Sequence, residues 1–384
     1  MSELRIAVIG YGNMGRGHAD YLHAGQVPNA NLGAIVDVNP KALADAKQRF
    51  PEVPVFESTE ALLEAKAADI VIIAVPHYFH PPLAIKALNA GVHALVEKPA
   101  GAYSKQVREL NEVASKSDRL FGIMFNQRTN AAHQKMRDLV SSGEVGNIKR
   151  VLYVITDWLR TQSYYDSGGW RATWEGEGGG VLLNQSPHNL DLLQWIGGMP
   201  SRVRAFCSFG KYHNIEVEDD VTAYLQYENG ASGVFITTTG ESPGTKYFEV
   251  VGDRGKIVLR GGGVTFYRTT EPVSKFIADC PNGFAQPETW TCEIDARGGE
   301  EHVGITKNFV NAVLNGTPLL ASGLEGINGT RLANAMLLSS WTDNWVDMPL
   351  DDDLYWEKLQ EKIANSTVKK DASVQKVSDL TGTY

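Results

Sequence analysis

Lys98 and His188 are the two side chains in this sequence whose type and setting suit proton transfer. Lys98 lies in Glu97-Lys98-Pro99, directly after an apolar run. A lysine at the carboxyl end of a buried strand needs a ligand or a carboxylate beside it. Partial desolvation there lowers its pKa toward the range of a proton acceptor; a plain surface ion pair with Glu97 is the alternative. His188 follows Gly178-Gly179-Gly180 and the segment ending in Ser186-Pro187. Ser186 and Pro187 are N-cap and first-turn residue types, so His188 is expected in the first turn of a helix that stops at Gly197-Gly198. The positive end of the helix field disfavours imidazolium, leaving a neutral ring able to take a proton from an alcohol. Asp191, three residues on, is expected to share that helix face and orient the ring.

A third motif binds rather than reacts. Gly10-Tyr11-Gly12-Asn13-Met14-Gly15 is a G-x-G-x-x-G between an apolar run and a helical segment, and Asp37 ends the next apolar run 22 residues after Gly15. Together these meet the context of a dinucleotide site. Gly10 permits the tight turn, Gly12 lets a pyrophosphate approach the backbone, and Gly15 allows close helix–strand packing. The helix start supplies N–H donors. Asp37 would accept from ribose hydroxyls and repel a 2′-phosphate, which predicts NAD rather than NADP as cofactor.

The elements that must hold these residues follow from hydrophobic patterning. Apolar runs at 4–9, 32–36, 69–75, 92–97 and 120–125 alternate with helical segments, including one opened by Asn39-Pro40 and one at 104–116. Fully apolar strands separated by helices predict a parallel sheet covered on both faces. After about residue 125 the pattern changes. A helix at 130–142 is followed by strand-like alternations at 148–156, 202–209, 221–227, 233–239, 246–251, 255–260 and 263–267, then by helices at 300–314 and 326–343. Strands outnumber helices here, which predicts an antiparallel or mixed sheet. The fold class is therefore α/β: a Rossmann dinucleotide-binding domain over 1–125, then an α+β domain over 126–384 with a large open, mostly antiparallel sheet. The second domain is expected to bind substrate and to form the oligomer. The tail from Asn365 reads as a loosely held terminus.

Composition narrows the function classes. The chain has 384 residues, with 36 Lys plus Arg against 45 Asp plus Glu, a net charge of −9. That balance, with no basic block, argues against nucleic acid or an anionic membrane as partner. No apolar run approaches the ~18–20 residues needed to span a bilayer. Three cysteines make no disulfide framework and fit a reducing compartment, and the start lacks the basic-then-apolar pattern of a signal peptide. A cytoplasmic protein is expected. His77 and His80 are spaced like a metal pair, yet no further cluster completes a site, so no metal is expected.

The cofactor loop, Glu97-Lys98-Pro99 and the glycine-rich stretch leading to His188 resemble the Gfo/Idh/MocA family of NAD(P)-dependent oxidoreductases (glucose–fructose oxidoreductase and inositol dehydrogenase among them), over nearly the whole chain. The resemblance implies hydride transfer between nicotinamide and a sugar, glycoside or cyclitol hydroxyl carbon, with Lys98 and His188 matching the family's catalytic pair. Asn184 stands where many members carry an Asp, and an Asn cannot ionise. On the cofactor side, Pro76, His77, His80 and Glu97 match the loops beside the nicotinamide ribose, joining Gly10 to Gly15, Asp37 and Lys98. On the substrate side, Asn126 and Arg128 are expected to face the cleft, with Asn184 and Gln185 beside His188. Asp157, Trp158, Tyr164, Trp170 and Arg171 belong to an aromatic, Arg-rich segment that suits either a sugar ring or a neighbouring subunit. A homodimer or homotetramer is expected. Two alternatives share the cofactor: an NAD-dependent glycosidase working by transient oxidation and elimination, and a non-catalytic NAD-linked sugar sensor, which would not need both Lys98 and His188.

Overall fold

The computed structural model describes residues 3–368 and 370. The first part alternates β1 (Leu4–Ile9), α1 (Asn13–His23), β2 (Ala30–Val36), α2 (Pro40–Arg49), β3 (Val55–Phe56), α3 (Thr59–Glu64), β4 (Ile70–Ile73), α4 (His80–Asn89), β5 (His93–Val96), α5 (Ser104–Ala114) and β6 (Phe121–Ile123). All its strand pairs are parallel, in the order β3-β2-β1-β4-β5-β6. The β4 residues show why the run is apolar throughout. Ile70 and Ile72 belong to the core on one face of the sheet, Val71 and Ile73 to the core on the other. As expected, Asn39 caps α2, its side chain accepting from Lys41 N–H at 3.0 Å with Pro40 in the first position.

The chain continues through α6 (Ala131–Ser141), β7 (Ile148–Ile155), α7 (Gln162–Tyr165), α8 (Pro187–Gly197), β8 (Arg202–Phe209), β9 (Glu218–Gln226), β10 (Ser232–Thr238), β11 (Lys246–Gly252), β12 (Gly255–Arg260) and β13 (Gly263–Thr269). It ends with α9 (Val273–Asp279), β14 (Thr289–Ile294), α10 (Glu301–Asn315), α11 (Gly326–Thr342), β15 (Val346–Asp347) and α12 (Asp352–Ala364). Nine strands form a second sheet, β14-β13-β12-β11-β7-β10-β9-β8-β15, in which only β10 and β7 pair in parallel. Alternate residues such as Val151, Tyr153, Val221, Ala223, Phe248 and Val250 face one core. The other face stays open, with Phe206 61% and Tyr224 42% exposed. One-sided burial is what the period-two alternation encodes.

Two findings depart from the linear reading. The core beside the parallel sheet takes in Ile305, Phe309 and Val310 of α10, with Ala321 and Ile327. Phe309 packs so close to Gly122 that a Cβ there would lie 2.7 Å from its ring, so Gly122 is required by that approach. Two described residues past 365 are tied down: Ser366 Oγ donates to Glu216 at 2.5 Å and Lys370 Nζ to Tyr165 O at 2.7 Å. The expectation for 369 and 371–384 lies outside the described residues. Among the described residues no helix is long and apolar enough to cross a membrane.

Candidate active site

The cofactor loop lies at the switch point of the parallel sheet, where β1 and β4 neighbour each other and the strand order turns. Gly10 has φ +91°, and an added Cβ would collide with the backbone of Ala74; a Cβ on Gly15 would collide with the carbonyl of Gly10. Gly12, the N-cap of α1, is exposed and would meet nothing within 4 Å. A tight turn, a close helix–strand contact and an open glycine at a helix start form a cradle that fits a pyrophosphate. Asn13 and Met14 open the helix, half-buried. The Tyr11 ring is buried beneath the Arg16 guanidinium, so this residue can meet a nucleotide through its backbone. Asp37 accepts from Tyr11 N–H at 2.7 Å and Asn39 N–H at 2.8 Å. Each oxygen keeps a lone pair for a ribose hydroxyl.

Lys98 follows β5 at the same sheet edge. Its Nζ donates to the Asn184 carbonyl at 3.0 Å, bridging the parallel sheet and the glycine-rich segment. No ion pair with Glu97 forms. The Glu97 carboxylate is buried, 2.7 Å from His18 Nε2, and takes only the backbone N–H of Lys98 at 3.2 Å. Burial would raise the Glu97 pKa, but the His18 hydrogen bond and nearby His302 hold it well below the usual carboxylate range. Burial lowers the Lys98 pKa; Glu97 opposes that effect, while Arg171 and Arg160 add to it.

His188 lies in the first turn of α8, and the ring is 5% exposed. Neither ring nitrogen has a hydrogen-bond partner. Burial and then the Lys98 charge drive its pKa well below the usual value, so the ring is neutral. The expected helper is engaged elsewhere. Asp191 binds Arg128 through both oxygens, at 2.6 and 2.8 Å, and accepts from Gln194. Ser186 occupies the N-cap position but makes no cap bond, its hydroxyl pairing with Thr237 at 2.8 Å.

The glycine-rich segment is held from below by Glu218 of β9, whose Oε1 accepts from Gly180 N–H at 2.8 Å and Leu182 N–H at 3.0 Å. Burial pushes its pKa up to about 7. A Cβ on Gly180 would run into the Glu218 backbone. Gly180→Ala should therefore displace the segment that carries Asn184 and destabilise the protein by about 1–3 kcal/mol. An unchanged urea-unfolding midpoint would contradict that close fit. Beside it, the buried Glu177 accepts from Asn184 Nδ2 and, at 2.6 Å, from Ala172 N–H. Asn184 Oδ1 accepts from Tyr164 OH at 2.9 Å, and Gln185 Nε2 donates to that hydroxyl at 3.0 Å. Glu177 and Glu218 escaped the sequence reading. Glu177 had a signal, an acid directly before the glycines; Glu218 sits 38 residues after Gly180 on a strand and had none.

Other expected site residues divide. Tyr164 and Arg171 join this network, Arg171 Nη1 donating to Tyr164 OH at 2.9 Å. Trp170 stands edge-on to His77 at 5.5 Å, and Trp158 donates to Asn189 Oδ1 at 3.3 Å. Asp157 is exposed at the end of β7. Pro76 begins the short turn 77–79; His77 Nδ1 lies 3.1 Å from Glu177 O, which ties this turn to the start of the glycine-rich segment. Both His80 ring nitrogens lie 2.7 Å from backbone carbonyls, of Pro99 and Val75, so His80 braces the loops around Lys98 and presents no free nitrogen to a cofactor. Arg128 does not face the cleft: it is 1% exposed, paired with Asp191 and with Glu325 at 2.6 Å. Asn126 is also buried, donating to Glu301 at 2.8 Å.

Comparison with known proteins matches two stretches of the chain to family models. Residues 4–125 match "Oxidoreductase family, NAD-binding Rossmann fold", and residues 133–258 match "GFO/IDH/MocA C-terminal domain". The chain is 24% identical to levoglucosan dehydrogenase of Pseudarthrobacter phenanthrenivorans, over 91% of this chain and 99% of that one. It is 34% identical to inositol 2-dehydrogenase of Corynebacterium glutamicum over 51% of this chain and 55% of that one. Among solved structures, the WlbA dehydrogenase of Chromobacterium violaceum, in complex with NADH and UDP-GlcNAcA, superposes with a TM-score of 0.78 at 28% identity, covering 91% of this chain and 97% of that one.

Proposed function

Because the chain belongs to the GFO/IDH/MocA oxidoreductases and carries their NAD-binding Rossmann domain, we propose that it transfers hydride between NAD and a sugar, glycoside or cyclitol hydroxyl carbon. Lys98 and His188 handle the proton. One observation carries this reading: beside the Asn184 carbonyl that holds Lys98 Nζ, both ring nitrogens of His188 and the side-chain oxygen of Gln185 are among the buried polar atoms left without a partner. Buried polar atoms normally find partners, and a polyol supplies them.

The bound nicotinamide supplies the hydride acceptor. The chain's own residues bind the hydroxyl, orient it and take its proton. His188, with its pKa driven far down, is a poor base and serves as a neutral hydrogen-bonding partner that fixes the hydroxyl. Lys98, whose pKa burial lowers from the ordinary lysine value, is the better matched acceptor. Oxidation needs the neutral amine, so kcat/KM should rise with pH and level off below 10.5, the ordinary lysine value. A rate that falls as pH climbs above neutrality would remove Lys98 as the base.

The direct test is NADH absorbance with NAD and NADP against inositols, aldoses and glycosides. Asp37→Ser should lower kcat/KM for NAD about 10- to 100-fold, the worth of a charged hydrogen bond to ribose, and raise the NADP-to-NAD ratio. An unchanged ratio would take Asp37 out of cofactor choice. The open face of the second sheet, with exposed Phe206 and Tyr224, is where a homodimer or homotetramer would form.

A further inference from the structure

Resting on the reading of Lys98 and His188 as the reacting site, we propose that the substrate carries an oxyanion, a carboxylate or phosphate on its ring, and that Arg171 and Arg160 receive it. The two guanidiniums are interleaved with aromatic rings in one stack. Arg160 lies 5.4 Å from the Trp158 ring centre and 5.2 Å from that of Tyr164; Arg171 lies 4.7 Å from Tyr164 and 4.7 Å from Trp170. Stacking occupies the flat faces and leaves the N–H edges. Of these edges, Arg171 spends one nitrogen on Tyr164 OH, and Arg160 spends one on the Leu159 carbonyl at 3.0 Å.

Among the described residues neither guanidinium has a carboxylate within ion-pair distance, whereas Arg128 has two. The stack borders the reacting amine: Tyr164 OH bonds Asn184, whose carbonyl holds Lys98 Nζ. The nearby acids spend their hydrogen bonds elsewhere, Glu177 on Asn184 and Ala172, Glu97 on His18, and Glu177 acts on Arg171 only through space. A neutral polyol would leave the free N–H edges of two planar donors without an oxyanion beside Lys98. A ring oxyanion answers both, since a guanidinium edge presents paired N–H donors that match carboxylate or phosphate oxygens.

The test uses the NADH-bound protein and titrates NADH fluorescence with matched sets: glucose, glucuronate and glucose 6-phosphate, then galactose, galacturonate and galactose 1-phosphate. At least one anionic member should bind about 10- to 100-fold more tightly than its neutral parent, with an advantage that shrinks as salt rises. Arg171→Met and, separately, Arg160→Met should each narrow that gap. An advantage confined to uronates assigns the group as carboxylate, and one confined to the esters assigns it as phosphate. Equal binding of acids and neutral parents, or a gap that both variants preserve, overturns the proposal. NAD reduction by neutral sugars alone would do so too while leaving the oxidoreductase reading intact; loss of NADH binding would strike that reading instead.

Discussion

Lys98→Met should bind NADH nearly as well as the parent protein while kcat falls by about 10²–10⁴, the usual loss when a positioned proton acceptor is removed. Methionine keeps an unbranched apolar stem but no titratable group, and it cannot donate to the Asn184 carbonyl that Lys98 Nζ now reaches at 3.0 Å. The cofactor cradle of Gly10, Gly12 and Gly15 lies on a separate loop and keeps its packing. Fluorescence titration and initial rates of NADH formation separate the two properties. Turnover near the parent's would eliminate Lys98 from the proton path, and lost NADH affinity would make it a cofactor ligand instead.

Arg128→Met should destabilise the protein by about 3–5 kcal/mol, because it strands Asp191 as a buried charge. Asp191 is 1% exposed and makes both of its strong bonds to Arg128. The guanidinium also lies 5.3 Å from the Phe125 ring centre and 5.0 Å from that of Trp195, so little space exists for water to replace it. Urea unfolding measures the change. The double variant Arg128→Met with Asp191→Leu should recover most of the loss, since replacing a buried pair by apolar groups of similar volume is often neutral. A single variant within about 1 kcal/mol of the parent, well short of the expected loss, would show that the pair contributes little.

The Arg128 pair marks the limit of one-dimensional reading. Three-residue spacing put Asp191 on the His188 helix face, which is correct as helix geometry. Whether it met His188 depended on a residue 63 positions away. The same holds for Ser186, whose N-cap position was legible while its hydroxyl went to Thr237 on a neighbouring strand. Glu218 could not be read at all, because only the pairing of β9 within the second sheet brings it under Gly180.

What the sequence determined by itself are the features encoded in local order: the strand–glycine–helix cofactor loop with Asp37, the all-apolar parallel strands, the one-sided strands of the second sheet, and the positions of Lys98 and His188 at element boundaries. Each rests on backbone sterics or on a period of 2 or 3.6 residues, which act over a few positions. The tertiary structure alone decided which partner each polar side chain took. It gave Asp191 to Arg128, left His188 unbonded beside Lys98, and brought α10 back onto the parallel sheet. It also stacked Arg160 and Arg171 between aromatic rings. Burying a polar group is costly unless a partner meets it, and that partner can come from anywhere in the chain, so its identity is a property of the packed fold.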